Sequence, residues 1–98
     1  MSEYEFSAEV WRWKGESAWH FITLPDDISD EIEASTHAAG FGSVRVEVRV
    51  GETTWRTSVF PSNEVKAYVL PIKKAVRLSE GCHEGVLTQV ILNVVEQG

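Results

Sequence analysis

Two alternating segments separated by two residues constrain the fold of this chain most strongly. Valine occupies every second position in residues 43–50, with charged side chains between, and a second alternating segment covers residues 53–60. Period-two alternation is typical of β-strands that bury one face. The intervening Gly51-Glu52 fits a type II′ turn, in which glycine supplies the positive φ. The segment therefore predicts a β-hairpin.

The hairpin turn also predicts which residues face each other across the two strands. One face of the predicted hairpin carries these pairs: Val44 with Val59, Val46 with Thr57, and Val48 with Trp55. On the other face Glu47 lies opposite Arg56, an opposite-charge pair that contributes about 0.2–1 kcal/mol. A shift of one residue would turn the valines towards solvent, so their alternation fixes the register.

Four further strands are predicted, at residues 3–13, 18–24, 66–70 and 86–95. The last is apolar on both faces, which favours a central place in a sheet or a place in a barrel wall. In the first, Trp11 and Trp13 end a face that is otherwise mostly charged. We therefore expect another part of the structure to cover these two rings.

The first of two predicted helices follows Leu24-Pro25. It begins at Asp26 or Asp27, because carboxylates cap the N-terminal end of a helix and complement its dipole. It ends at Gly40 or Gly42, since glycine commonly terminates helices. The residues predicted to face the core are Ile28, Ile32 and Ala39.

The second predicted helix covers residues 72–80 and starts at Pro71, where a missing N–H removes no helical hydrogen bond. Its predicted core-facing residues are Ile72, Ala75, Val76 and Ser79, and Gly81 ends it. Both helices follow a Leu-Pro pair and precede a valine-rich strand. This repeat predicts a mainly β protein, a pseudo-twofold barrel of about six strands capped by two short helices.

Length and composition limit the class of protein. The 98 residues suit one domain, residues 1–98, and 43% of them are hydrophobic. Cys82 is the one cysteine, so no intrachain disulfide can form and a reducing compartment is the simpler interpretation. Residues 1–6 lack the pattern of a signal peptide, and no apolar run approaches the ~18 residues of a membrane span. We expect a cytoplasmic protein with no membrane contact.

The charge balance argues against general binding to duplex DNA. Fifteen acidic residues face nine basic ones, for a net charge of −6, whereas binding to a duplex requires a positive field. We therefore do not expect a nucleic-acid partner.

Lys73, Lys74 and Arg77 form the one dense cluster of positive charge and are the candidate anion site. Lysines in the first turn of a helix oppose its dipole, whereas the backbone N–H groups there attract anions. Positive side chains at that end make physical sense if an anion binds there. The alternative is that they pair with the surplus acids or are simply solvated. Arg45, Arg49 and Arg56 could extend the site, although Arg56 is better assigned to Glu47.

The remaining candidate residues favour structural roles. The three histidines, His20, His37 and His83, lack the spacing of metal ligands, so we expect neither a metal nor a cofactor. His83 beside Cys82 would suit a catalytic thiol, but sequence neighbours on a loop seldom face each other, so an inert loop cysteine is favoured. No catalytic residue is assigned, because the chain contains no phosphate-binding glycine loop and no nucleophile elbow.

Four tryptophans, Trp11, Trp13, Trp19 and Trp55, are many for this length. Roles in the core or as a barrel plug are favoured. The alternative is a stacking platform for a base or sugar, which requires basic residues between the rings. In the sequence, only residues 11–14 provide them.

Several segments together carry a resemblance to a known family. They are residues 6–8 (Phe-x-Ala), 19–25 (Trp-x-Phe-x-x-Leu-Pro), 57–61 (Thr-Ser-Val-Phe-Pro) and 70–77 (Leu-Pro-x-Lys-Lys-Ala-Val-Arg). With the closing valine-rich strand, they resemble the bacterial family called domain of unknown function 1905. The resemblance implies a small double-split β-barrel with no known activity. Some members are joined to other small bacterial domains, which implies a binding or accessory role.

These features are compatible with three classes of function. The leading hypothesis is a non-catalytic binding or accessory module in which a small anionic ligand or a protein partner contacts Lys73, Lys74 and Arg77. The alternative is a small enzyme in which the same cluster stabilises negative charge, with His20, His83 or Tyr68 as its acid–base group. A DNA-binding regulator, suggested by barrel shape alone, is opposed by the net charge.

Overall fold

The computed structural model describes residues 3–15, 18–36 and 42–95. Within these ranges there are seven strands and two helices: β1 (Glu3–Glu9), β2 (Trp11–Arg12), β3 (His20–Thr23), α1 (Asp26–Thr36), β4 (Val44–Val50), β5 (Thr53–Ser62), β6 (Ala67–Pro71), α2 (Lys74–Glu80) and β7 (Leu87–Val94). The prediction of a mainly β protein with two short helices is confirmed.

All seven strands form one antiparallel sheet, in the order β1-β7-β4-β5-β6-β3-β2. The two strands at the ends of this order, β1 and β2, are consecutive in the chain and separated only by Val10. The backbone of Val10 donates to the Val86 carbonyl (3.2 Å) and accepts from the Gly85 N–H (2.7 Å). Because one residue joins the two edges, the sheet must curl into a barrel-like shape.

This break at Val10 explains why the structure has seven strands and not the six predicted. The single strand predicted over residues 3–13 is two short strands that pair with different partners, β1 with β7 and β2 with β3. The alternation of side chains continues through the break, since Phe6 and Val10 are both buried. A pattern of alternation therefore could not reveal it.

The predicted hairpin is confirmed in every pair. β4 and β5 pair with Val44 opposite Val59, Val46 opposite Thr57, Val48 opposite Trp55 and Glu47 opposite Arg56. Gly51 has a φ of +59°, as the first central residue of a type II′ turn requires. The four valines of β4 are buried. They form the middle of the hydrophobic core inside the curled sheet, together with side chains such as Ile22, Leu70, Val90 and Leu92.

Helix α1 begins at the predicted aspartates and closes one side of the core with Ile32, while Ile28 packs partly against it. The Ser29 hydroxyl accepts a hydrogen bond from the Tyr68 N–H at 3.1 Å, which ties α1 to β6. Ala39 and Gly40, which were predicted to face the core and to end this helix, lie outside the described residues.

The predicted start of α2 is wrong by two residues. Pro71 is the last residue of β6 and lies opposite Phe21 in β3, and the Ile72 N–H still donates to the His20 carbonyl at 2.9 Å. Pro71 lies beyond Val69, the last residue of β6 that pairs with β5, so its missing N–H leaves no ladder bond unmade. The strand therefore continues through the proline, and the helix begins only at Lys74.

This later start changes which side chains of α2 reach the core. Ile72 and Val76 are buried as predicted, but Ala75 and Ser79 are exposed. The prediction assumed that Ile72 was already helical, whereas it belongs to the extended segment before the helix. Gly81 ends α2 with a φ of +65°, as predicted.

The two repeated strand–helix–strand units pair with each other. β3 pairs with β6, and β4 pairs with β7, both antiparallel. This is the arrangement that a twofold relation between the units would give. Within the described ranges, neither helix is long and apolar enough to cross a membrane.

Candidate functional site

The three basic residues predicted as an anion site line one open groove of about 500 Å³, which we call the basic groove. It lies between the start of α2, the middle of β5 and the start of β3. Other side chains that line it include Trp19, His20, Trp55, Arg56 and Phe60. No described aspartate or glutamate lines it. The groove is therefore cationic, although the protein as a whole is acidic.

Lys73 precedes α2 and does not lie in its first turn, where the sequence predicted it. Lys73 is the extended N-cap residue of α2, with a φ of −72° and a ψ of 159°. Its carbonyl accepts hydrogen bonds from the N–H groups of Val76 (3.0 Å) and Arg77 (3.1 Å). The two basic side chains come together because both border the same groove. With only seven residues, α2 contributes little through its dipole.

Arg77 is the most fixed of the three residues. It is half-buried, and its Nη1 donates to the Ile72 carbonyl at 2.7 Å. A guanidinium has five N–H donors, so this bond leaves others for a ligand. Lys73 and Lys74 are exposed, and among the described residues no carboxylate lies within 4.0 Å of either lysine or of Arg77.

Arg56 forms the predicted ion pair with Glu47, at 3.6 Å between Nε and Oε2. Both side chains are largely exposed, and pairs of this kind contribute only ~0–1 kcal/mol. Arg56 also lines the basic groove. An anion in the groove could therefore attract Arg56 at little cost in stability.

Three of the tryptophans lie outside the core, contrary to the favoured prediction. Trp11, Trp13 and Trp19 cluster with Phe21 on the outer face of the sheet, with ring centroids 5.2–6.1 Å apart. We call these four rings, with the neighbouring Phe60, the aromatic patch. Trp55 alone among the tryptophans packs partly against the core.

The aromatic patch is open to solvent over much of its surface. Trp13 is 39% exposed, Trp19 56% and Phe60 44%. The cover expected over Trp13 is therefore missing, at least from the described part of the chain, whereas Trp11 is half-buried. Trp19 is supported on one side, since its ring stacks on Phe21 with an interplanar angle of 9°. Trp11 is held by a hydrogen bond from Nε1 to Thr23 Oγ1 at 2.8 Å.

A second groove of about 490 Å³, the apolar groove, runs beside the basic groove. Its described lining has no charged side chain and includes Trp13, Phe21 and Val69. Trp19 and Phe60 line both grooves. The two grooves therefore meet at these two rings and form one surface, cationic at one end and aromatic at the other.

Of the three residues named for acid–base chemistry, only His20 lies in the basic groove. Its Nδ1 lies 2.7 Å from the Ala18 carbonyl. A carbonyl can only accept, so Nδ1 carries the proton and Nε2 of the neutral ring is an acceptor. Tyr68 instead lines a groove beside α1, where burial, reinforced by Glu33, raises its pKa. His83 is exposed on the loop after α2.

Cys82 is buried beneath α2, and its Sγ lies 3.7 Å from the Val76 carbonyl. Burial is the largest effect and raises the pKa of its thiol; a backbone hydrogen bond lowers the pKa, Glu80 raises it, and Arg77 has the smallest effect and lowers it. These properties favour an inert thiol. Among the described residues, no three His, Cys, Asp or Glu side chains are grouped to hold a metal; His37 lies outside them.

The fold and these grooves define a small, curled-sheet β protein with an open surface that combines cationic and aromatic side chains. The chain belongs to the family described as domain of unknown function (DUF1905), whose family model matches residues 6–92. The resemblance predicted from the sequence is thereby confirmed over most of the chain. A search of curated proteins found no match.

Proposed function

We propose that this protein is a non-catalytic binding or accessory module, and that Lys73, Lys74 and Arg77 hold an anionic group of its ligand or partner. One observation carries the proposal: the three residues line a single open groove that no described carboxylate enters. Cations that have no acidic partner in a concave site favour an anionic ligand, because the ligand supplies the missing charge.

The three side chains suit complementary tasks in such a site. Arg77 is anchored through Ile72, so its remaining donors keep a defined direction at low cost in side-chain entropy. Lys73 and Lys74 are exposed and flexible, and each presents a compact charge with rotatable donors. The pair can therefore adapt to a phosphate, a sulfate or a carboxylate, while Arg77 fixes its position.

The proposal includes three finer expectations about the molecule as a whole. We propose a single domain with the double-split form of the barrel, which the division of the first strand at Val10 and the pairing of the two repeated units support. We also propose a bacterial origin, from the family resemblance, and a cytoplasmic location, which the lone cysteine supports.

Thermal unfolding with a panel of anions tests the anion site. The panel contains phosphates, nucleotides, sulfated sugars and carboxylates. A bound anion at 100 times its dissociation constant should stabilise the protein by ~2.7 kcal/mol. The shift should disappear in Lys73→Ala/Arg77→Ala. It should remain in Arg45→Ala/Arg49→Ala, which removes the same charge from exposed positions on β4 that do not line the groove.

Two results would contradict the proposal. One is the absence of a shift with every compound. The other is a shift that both double variants lose equally, because this would indicate a response to total charge and not to a site.

A small enzyme is the second candidate, and His20 is the observation that favours it. Its Nε2 is available as a proton acceptor in the same groove as Lys73 and Arg77. If the groove is catalytic, His20→Gln should abolish turnover of a bound anion while leaving its affinity within about twofold. If the bound anion remains unchanged in the wild-type protein, the enzyme hypothesis fails and the binding module stands.

A further inference from the structure

The basic residues of this acidic protein are concentrated around the aromatic patch. A third groove, of about 260 Å³, shares Trp13 with the apolar groove and contains Arg12 and Lys14. Six of the nine lysines and arginines therefore line the three adjoining grooves: Arg12, Lys14, Arg56, Lys73, Lys74 and Arg77. Of the described acidic residues, only Glu64 lines any of the three. Both ends of the aromatic patch are thus cationic.

The strands place rings and cations in one row across the sheet. The Trp13 N–H donates to the Trp19 carbonyl at 2.9 Å, and on the other side of β3 the Ile72 N–H donates to the His20 carbonyl at 2.9 Å, directly before Lys73. Trp13 and Trp19 line the apolar groove together, and Trp19 and Lys73 line the basic groove together. The rings and the charges are close enough to contact one extended ligand.

We infer that this surface binds a segment of single-stranded nucleic acid, with nucleobases stacked on Trp19 and its neighbouring rings and phosphates held by the cations at either end. The inference rests on the proposed anion site and extends it. Exposed aromatic rings beside a cationic groove are the common features of proteins that bind single strands. Stacking requires a rigid ring with one free side, and Trp19 has this because Phe21 supports it.

The arrangement favours a single strand over a duplex or a lone nucleotide. In a duplex the nucleobases stack on each other, and their faces cannot reach Trp19. A single nucleotide would use one ring and one cationic end, whereas cations at both ends suit a ligand in which rings and charges alternate. The net charge of −6 led us to expect no nucleic-acid partner. It opposes broad contact with a duplex, but the local distribution of charge favours a short single strand.

Fluorescence anisotropy with a labelled oligothymidylate of about ten nucleotides tests the inference, since known single-strand sites cover ~4–16 nucleotides. We expect binding that weakens as salt is raised, and quenching of tryptophan fluorescence. Trp19→Ala should weaken binding at least about fivefold through lost stacking, whereas Trp19→Phe should retain it. The matched control is Leu78→Ala, which removes a side chain that is 67% exposed on α2 and lines none of the three grooves.

The outcomes separate this inference from the proposed anion site. If phosphate stabilises the protein but the oligonucleotide binds no more tightly than thymidine monophosphate, the inference fails and the anion site stands. Equal affinity for a duplex of the same length also overturns it, because the phosphates alone would then account for binding. Undiminished binding by Trp19→Ala excludes stacking. If neither phosphate nor oligonucleotide binds, both proposals fail.

Discussion

Gly51 performs two tasks at the junction between the hairpin turn and the end of α2. Its positive φ forms the turn, and its lack of a side chain leaves room for the carboxylate of Glu80, which a Cβ would strike. Glu80 in turn accepts a hydrogen bond from the Thr53 hydroxyl at 2.5 Å. One glycine therefore allows α2 to be fastened to the hairpin.

Gly51→Ala should lower the free energy of unfolding by ~1–2 kcal/mol through its positive φ. Displacing Glu80 from Thr53 should add about 0.5–1.5 kcal/mol, the contribution of an ordinary hydrogen bond. Gly81→Ala is the control, because Gly81 also has a positive φ but a Cβ there meets no atom within 4 Å. Urea unfolding of both variants, with and without Glu80→Ala, measures the difference. If Gly51→Ala and Gly81→Ala lower the free energy of unfolding equally, the Glu80 side chain moves away from the new Cβ without cost.

Cys82 should react slowly with a thiol reagent in the folded protein, because it is buried and the pKa of its thiol is raised. Reaction should become fast once urea unfolds the chain. Timed absorbance with a chromogenic disulfide, at several urea concentrations, checks this. A fast reaction in the absence of urea would mean that the segment between α2 and β7 opens without global unfolding.

The same raised pKa predicts that stability falls in alkali. Above the ordinary thiol pKa of 9.0, the unfolded chain loses the Cys82 proton while the folded protein keeps it. The unfolded state then binds fewer protons, so the free energy of unfolding decreases as pH rises and is unaffected at lower pH. Cys82→Ala should make the decrease above pH 9 shallower, with a remaining part due to Tyr68, whose pKa is also raised. An unchanged slope would contradict this assignment.

Among the elements, β4 holds the central place in the core. It pairs with β5 on one side and β7 on the other, and Val46 lies opposite Thr57 and Val94. Its valines are buried while Arg45 and Arg49 are exposed. The stability of the whole sheet should therefore depend on one face of this strand.

Val46→Ala should destabilise the protein by about 2 kcal/mol, from lost burial and the cavity that remains. Arg45→Ala, one residue away on the opposite face, should change stability by less than about 0.5 kcal/mol. Chemical denaturation of the two variants gives the comparison. A small effect of Val46→Ala would mean that neighbouring side chains collapse into the space.

Local patterns predicted the hairpin but not the start of α2 or the position of the tryptophans. The hairpin depends on alternation and on one glycine, both of which are visible in the sequence. Pro71 is compatible with a helix start and with a strand end, and a hydrogen bond from Ile72 to the distant His20 decides between them. Hydrophobicity also cannot tell the inside of a barrel from its outside, so Trp13 and Trp19 were assigned to the core.

Val10 joins the two edges of the sheet. Its side chain is 1% exposed, and both of its backbone polar groups bond to the segment before β7. Val10→Ala should cost about 2 kcal/mol through lost burial. Val10→Pro should cost ~1–3 kcal/mol more, because the Val86 carbonyl loses its donor. Thermal unfolding of the two variants separates the effect of the lost side chain from that of the lost backbone hydrogen bond. Equal unfolding midpoints would show that the hydrogen bond from the Val10 N–H does not stabilise the protein.

Net charge is a sum over the whole chain and says nothing about where the charges lie on the surface. It therefore could not predict the candidate site. Lys73, Lys74 and Arg77 were found from their density in the sequence. Their association with Trp19 and Phe60 depends on the pairing of β3, β5 and β6, which brings together residues more than 40 positions apart. Arg12 and Lys14 are neighbours of Trp13 along the chain, whereas the cations beside Trp19 are brought there by the fold.

The division of the first strand at Val10 also affects when the molecule can fold. β1 pairs with β7, with Glu3 opposite Asn93. β1 therefore leaves the ribosome long before its partner strand is synthesised. Until β7 is synthesised, β1, whose apolar face carries Phe6, has no neighbouring strand with which to form the barrel. We expect the β4–β5 hairpin, whose contacts are local, to form early, and closure of the barrel to wait for the last strand. β1 would then be among the last strands to pair, although it is synthesised before the others described here.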